Sequence, residues 1–264
     1  MNMKKIFVFF MSLCISWACC CSAGAIDTAP SVNNEEQNQN NQVANTDDIA
    51  HQIIEIMQNY ADNPKETESA LANIGVTLLD EPQVTCFGTE NQTRGLDPTD
   101  YTLSIYSARR AGDMHTYLMW SLRANKTELF PGPLDLISME WDTSRASYYL
   151  SEGDGVYSTV QARAEGIVLF NVQDNDLDKD EYASGYVIVT PYKLGTMEYG
   201  SKYVHTYSKY LWGGSVSYSF APSSTVSANG DWSLNLAHTM GFTATVSSTT
   251  EMWQIWTDNA VNIQ

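Results

Sequence analysis

From about Val76 onward the chain alternates apolar and polar residues, and a chain with that period has few ways to fold. Tyr101, Leu103 and Ile105 share one parity in "YTLSIYS", as do Leu118, Trp120 and Leu122 in "TYLMWSLR". Ile137, Met139 and Trp141 alternate with Ser138, Glu140 and Asp142. Val156, Val160 and Ala162 oppose Tyr157, Gln161 and Arg163. The pattern returns at Val216, Tyr218 and Phe220, at Trp232, Leu234 and Leu236, and at Phe242, Ala244 and Val246. Successive strand side chains point to opposite faces, so this period predicts strands with one face on a core and one in water. Turn signals separate the runs: "PGP" at 131–133, "EGDG" at 152–155, "WGG" at 212–214, and the hairpin pair Asn229-Gly230. The expectation is an all-β domain over 76–264, an antiparallel β-sandwich of Ig-like or jelly-roll-like kind. No repeat of fixed period is visible, which excludes propellers and solenoids.

The region before it reads differently. Ile49, Ile53, Ile56, Met57 and Tyr60 recur at helical spacing behind Thr46 or Asp47 as a cap. Asn63-Pro64 opens a second helix, with Ala70, Leu71 and Ile74 as its stripe and Gly75 as a left-handed stop. Residues 47–75 are therefore expected to be a two-helix segment that covers part of the sheet domain, the rival being a propeptide or partner-binding arm. Residues 26–46, rich in Asn and Gln, have nothing to bury and read as a disordered tether. Residues 1–25 read as a secretory signal: Lys4 and Lys5, an apolar stretch from Ile6 to Cys21, and small residues in Ala23-Gly24-Ala25 before cleavage. Acylation at Cys19, Cys20 or Cys21 is the rival, weakened by Ser16, Trp17 and Ala18 where an aliphatic residue is wanted. The expectation is a secreted, extracellular protein.

Export constrains the chemistry. Four of the five cysteines lie in the signal, leaving Cys86 alone, so neither a disulfide framework nor a cysteine-rich zinc site is available. Removing Lys4 and Lys5 leaves 12 basic against 31 acidic residues, a net charge of −19. That field repels nucleic acid and anionic headgroups, so nucleic acid is excluded as a partner and a membrane disfavoured. The four histidines form no HxxxH or HxH pair, and no GxSxG elbow or glycine-rich phosphate loop occurs.

Two features remain as candidate sites. "DNDLDKDEY" places Asp174, Asp176, Asp178 and Asp180 at every second position and adds Glu181. It falls between two apolar runs, "GIVLFNVQ" and "ASGYVIVTPY", and is expected to be the surface connection between two neighbouring central strands. The loop supplies several of the six to eight oxygens calcium takes, but Lys179 and Gly185 stand where an EF-hand needs Gly and Glu. Calcium here would be a weak site of non-EF type, on the order of 0.1–1 mM; a plain solvated tip is the alternative. The second feature is aromatic: Tyr207, Tyr210 and Trp212 in "KYVHTYSKYLWGG", and Trp253 and Trp256 in "EMWQIW". Exposed aromatic faces rimmed by polar groups grip sugar rings or protein surfaces.

The leading reading is a secreted, non-catalytic sandwich that binds an extracellular glycan or protein surface, with calcium as a conditional aid. One alternative is a membrane-active β-rich toxin or bacteriocin, because "GGSVSYSFAPSSTVSANGDWSLNLAH" alternates Ser/Thr with apolar residues across a hairpin turn. Pro222 and the overall charge count against it. The other is a hydrolase on a sandwich scaffold, with Glu140, Asp142, Glu152, Asp154, Glu165 and Glu198 as candidate carboxylates.

Overall fold

The structure is a computed structural model that describes residues 48–60, 63–84, 86–87, 98–127, 135–173, 177–208, 216–220, 224–226, 232–234, 242–246 and 250–263. The signal, the tether, Asn229-Gly230 and the "PGP" and "WGG" turns lie outside the described residues. Among the described residues no helix is long and apolar enough to cross a membrane.

The protein is an antiparallel β-sandwich, as the alternation predicts. One six-stranded sheet runs β1 (Val76–Leu78), β4 (Tyr101–Arg110), β5 (Thr116–Ala124), β10 (Tyr182–Pro191), β7 (Ala146–Gly153), with β2 (Gln83–Val84) also paired to β4. The other runs β3 (Cys86–Phe87), β16 (Thr250–Ile263), β11 (Gly195–Ser208), β6 (Asp135–Trp141), β9 (Ile167–Val172), β8 (Ser158–Ala164). The inner faces meet in the largest core, where Leu103, Trp120 and Val187 of the first sheet pack with Ile137, Phe170 and Tyr199 of the second. Trp120 lies directly over Gly185, its cross-strand partner; a Cβ there would sit 2.8 Å from the indole, so the close approach requires glycine.

The outer faces are not simply wet. All seven residues of β6 are buried, and so are seven consecutive residues of β10, because each sheet is covered on its far side as well. Over the first sheet lie the helices α1 (48–59) and α2 (Pro64–Asn73). Ile49, Ile53, Ile54 and Leu71 pack on Tyr106, Tyr117, Met119, Tyr186 and Ile188. Asn63 caps α2 through the Glu66 amide, and Gly75 ends the turn at φ 72°. The segment thus covers a face of the sheet. Over the second sheet lies a two-stranded ribbon, β12 (Val216–Phe220) with β15 (Phe242–Val246). Phe242 and Ala244 pack there on Leu136, Leu169 and Val204. A second short pair joins β13 (Ser224–Val226) to β14 (Trp232–Leu234).

Two expectations are corrected. β9 and β10 are central and buried as read, yet they are not neighbours: β9 pairs with β6 and β8, β10 with β5 and β7. The acidic run therefore crosses from one sheet to the other instead of tipping a hairpin. Leu177, in the middle of it, is buried in the main core. Second, Val156 and Val160 are 67% and 42% exposed, while Tyr157 packs against the core. β8 is an edge strand with a register shift between Val160 and Ala162, and the shift undoes its simple alternation. The turn before it is fixed by Asp154, whose Oδ1 accepts from the amides of Val156, Tyr157 and Ser158 at 2.7–2.9 Å. Its Oδ2 accepts from Ser184 N at 2.7 Å.

One buried charge sits under the ribbon. Lys202 donates through Nζ to the carbonyl of Phe242 and lies 4.2 Å from the centre of that ring. Burial pushes its ammonium down to about 8, with Glu140 pulling the other way. A depressed lysine disfavours the folded state while charged and releases that penalty as pH rises from about 8 to the ordinary 10.5, where only the unfolded chain still binds the proton. Denaturation of wild type and Lys202→Met across this range checks it: the wild type should gain stability relative to the variant between about pH 8 and 10.5 and show a flat difference between pH 6 and 7.5.

A polar groove on the outer face of the helix-covered sheet

Register arranges the outer face of the first sheet in rows. Tyr106, Met119 and Tyr186 form a row beneath the helices. One step along, Ser104, Ser121 and Ser184 form a row of hydroxyls. One step further come Thr102, Arg123 and Tyr182. α1 covers Ser184 but leaves the rest of the last two rows open, so Ser104, Ser121, Thr102, Arg123 and Tyr182 floor a groove of about 300 Å³. Met57 and Gln58 of α1 form one wall, Pro82 and Val84 the other. That volume is at the small end for ligand sites.

The floor is held by its neighbours. Gln58 Nε2 donates to Ser184 Oγ at 3.0 Å, and Asp154 fixes the Ser184 backbone from below. Arg123 Nη2 donates to Asp180 Oδ1 at 2.7 Å and its guanidinium lies 5.7 Å from the Tyr182 ring centre. Tyr106, which lines the groove, has a buried hydroxyl with no hydrogen-bond partner among the described residues. Burial raises its phenol well above the ordinary value, so it stays a neutral donor.

The acidic run meets this groove through Asp180. Asp180 adopts a left-handed backbone (φ 72°), donates its amide to Ala124 O at 2.7 Å and spends its carboxylate on Arg123. Glu181 Oε2 accepts from Tyr157 OH and from the Asp178 amide. Asp178 Oδ1 lies 3.4 Å from Thr127 Oγ1. Asp174 and Asp176 fall outside the described residues, and among the described residues no group of three His, Cys, Asp or Glu is placed to hold a metal.

The aromatic candidates do not assemble a surface site. Tyr207 and Trp253, expected on the outside, are buried in the main core. They surround His205 together with Tyr101 and Tyr203, the His205 ring lying 4.6 Å from Trp253 and 6.0 Å from Tyr207. Asp135 organises this cluster, accepting from Tyr203 OH and Thr206 N and lying 2.8 Å from His205 Nδ1. Trp256 is half-buried on the opposite face of β16, and Tyr210 and Trp212 lie outside the described residues.

Four of the six candidate carboxylates, Asp154 among them, hold structural positions, and Glu165 is exposed. Glu140 is buried beside Ser138 and Lys202, Asp142 accepts from the Ser144 amide in a tight turn, and Glu152 reaches His51 at 3.6 Å and Tyr186 OH. None of the described groove-lining residues is a carboxylate, histidine or cysteine. What the groove offers is hydrogen-bond donors and acceptors with two phenol rings, an arrangement suited to holding a ligand rather than moving its protons.

Fold and groove together define an antiparallel β-sandwich with a polar cleft beside a helical cover. No family model matches the chain, and no curated protein matches it. A solved structure, the sixth cohesin of scaffoldin B from Acetivibrio cellulolyticus in complex with a mutant dockerin, is similar over 34% of this chain and 74% of its own, with 9% identity and a TM-score of 0.27. A likeness at that level says nothing about function.

Because its hydroxyl lacks a partner, Tyr106 should be replaceable by phenylalanine at no cost to the fold. Tyr106→Phe is expected to be neutral or stabilising by up to about 1 kcal/mol in urea denaturation.

Proposed function

We propose that this is an exported, non-catalytic binding protein whose groove holds a neutral, hydroxyl-rich ligand of the kind a glycan presents. The observation that carries the reading is the pair of half-buried serines, Ser104 and Ser121, beside Thr102, Arg123 and Tyr182 on the groove floor, walled by α1 and β2. Sugar hydroxyls both donate and accept, as Ser104, Ser121 and Thr102 do. Arg123 already faces Asp180, so the floor carries little net charge to favour an anion.

Residues 26–264 would be tested by sedimentation with insoluble polysaccharides and by titration with soluble glycans and proteins, each with calcium and with a chelator. Binding to one glycan class should fall at least tenfold in Ser121→Tyr, which fills the groove, with an unchanged thermal transition. Trp256→Ala, on the other sheet, should leave binding intact. If Trp256→Ala abolishes binding and Ser121→Tyr does not, the groove is not the site. Loss of binding in chelator would give the run Asp174, Asp176, Asp178 and Asp180 a cation.

A further inference from the structure

One end of the sandwich is apolar and stiff. It is built from the β4–β5 hairpin, the loop joining β6 to β7 and the loop joining β10 to β11, all within the described residues. Thr116 pairs with Val189, and beyond that pair His115 Nδ1 lies 3.0 Å from Thr190 Oγ1, which sets Met114 at the same end as the 191–195 loop. Met114, Tyr192 and Leu194 are 64%, 62% and 70% exposed. Their loops are tied to one another. Arg145 O accepts the amides of Tyr192 at 3.0 Å and Lys193 at 3.2 Å. Arg145 Nη1 donates to Leu194 O at 2.7 Å, and Tyr192 OH donates to Thr143 O. The turn at Glu165 packs on the same Thr143, since a Cβ at Gly166 would lie 2.7 Å from its methyl group. The exposed side chains thus stand on backbone that is already ordered, and a partner docking on them has little left to order.

Charge singles out the same end. Without Lys4 and Lys5 the chain has 12 basic and 31 acidic residues, a field that holds copies apart. The segments that form this end, 109–116, 142–146, 164–167 and 190–198, are balanced: Arg109, Arg110, Arg145 and Lys193 against Asp113, Asp142, Glu165 and Glu198. Two of these acids are spent locally. Asp113 accepts from Tyr117 OH and the His115 amide, and Asp142 accepts from the Ser144 amide beside Arg145. Lys193 and Glu165 are exposed and make no ion pair among the described residues. They are of opposite sign, on turns joined through Thr143. The whole excess of negative charge lies outside these segments.

We propose that this end is a homodimer interface, on which a second copy of the chain docks about a two-fold axis. Met114, Tyr192 and Leu194 of each copy pack in the centre, and Lys193 of each copy faces Glu165 of the other. A two-fold contact uses one patch twice, so the patch must complement itself. A patch with both signs in equal number, and one exposed charge of each, does so. The contact also leaves the acid excess of both copies outside it. The apolar centre carries the affinity, while the exposed ion pairs contribute little by themselves and set the register. Thr102 and Arg123 of the groove lie at the opposite ends of β4 and β5 from Arg110 and Thr116, so the dimer leaves both grooves open. On the reading of the groove as a glycan site, the dimer grips a repetitive polymer twice; the dimer itself does not rest on that reading.

The test is sedimentation velocity of residues 26–264 across a dilution series, with no ligand present. The wild type should show a concentration-dependent equilibrium between monomer and dimer. Leu194→Asp should raise the dissociation constant at least tenfold. Val156→Asp, which adds the same charge to a 67% exposed valine in the turn at the far end of the sandwich, should leave it unchanged. Lys193→Glu and Glu165→Lys should each weaken self-association. An equimolar mixture of those two variants should recover it, because the mixture sets opposite signs at both contacts where each variant alone sets like against like. All four positions are exposed, so the thermal transitions should match the wild type. Leu194→Asp should also bind a short glycan as the wild type does, which separates failure of the interface from failure of the groove. A wild type that stays monomeric at every concentration, species that grow without limit, equal behaviour of Leu194→Asp and Val156→Asp, or a mixture that fails to recover would overturn the proposal.

Discussion

A sheet that is apolar on both faces has to be covered twice, and the rest of this architecture follows from that. The inward residues of the two sheets satisfy each other in one core. The outward residues of β4, β5 and β10 still present Tyr106, Tyr117, Met119, Tyr186 and Ile188, and those of β6, β9 and β11 present Leu136, Leu169 and Val204. Leaving such surfaces in water would forfeit roughly 25 cal/mol for each Å². The helices answer the first demand and the β12–β15 ribbon the second. The large sheets are bound internally by ladders of backbone hydrogen bonds, whereas among the described residues no ladder ties either cover to them. Covers of this kind belong to the low-stability end of a structure, where motion and binding concentrate.

Alternation was enough to show strands, sandwich and helical segment. It was not enough to show which sheet a strand joins. β9 and β10 read as neighbours because they are consecutive and equally apolar, but nothing in "IVLFNV" or "YASGYVIVTP" says that the chain crosses over between them. Leu177 was the available clue: an apolar residue amid four aspartates is odd on a hairpin tip and natural in a crossing that must plug the end of a core. The aromatic run failed for a similar reason. Tyr203, His205 and Tyr207 share a parity in β11, which marks an inward face, and Trp253 lies opposite His205 across the ladder. Counting aromatics in a short stretch hides that parity.

The groove could not have been read from the chain. Ser104, Ser121 and Ser184 are far apart in sequence, and serine on the polar parity of a strand looks like ordinary solvated surface. Only the register of three strands makes them a row, and only the point where α1 ends leaves Ser104 and Ser121 open beside the covered Ser184. The acidic run enters the groove by one residue, Asp180, through Arg123, which is exposed enough that the pair orders a side chain more than it stabilises the fold.

The two covers rest on different ground. Beneath the helices the sheet offers a continuous apolar patch, so lifting them would expose mainly hydrocarbon. Beneath the ribbon the apolar patch of Leu136, Leu169 and Val204 adjoins Lys202, Glu140 and Ser138. Burial holds the Lys202 ammonium below its ordinary range, and it is compensated by the carbonyl and ring of Phe242 on the ribbon and by Glu140 on β6 in the sheet. If the ribbon leaves, the lysine loses the Phe242 contacts but regains water, and the desolvation that opposes docking disappears. Departure therefore costs apolar area and refunds a charge.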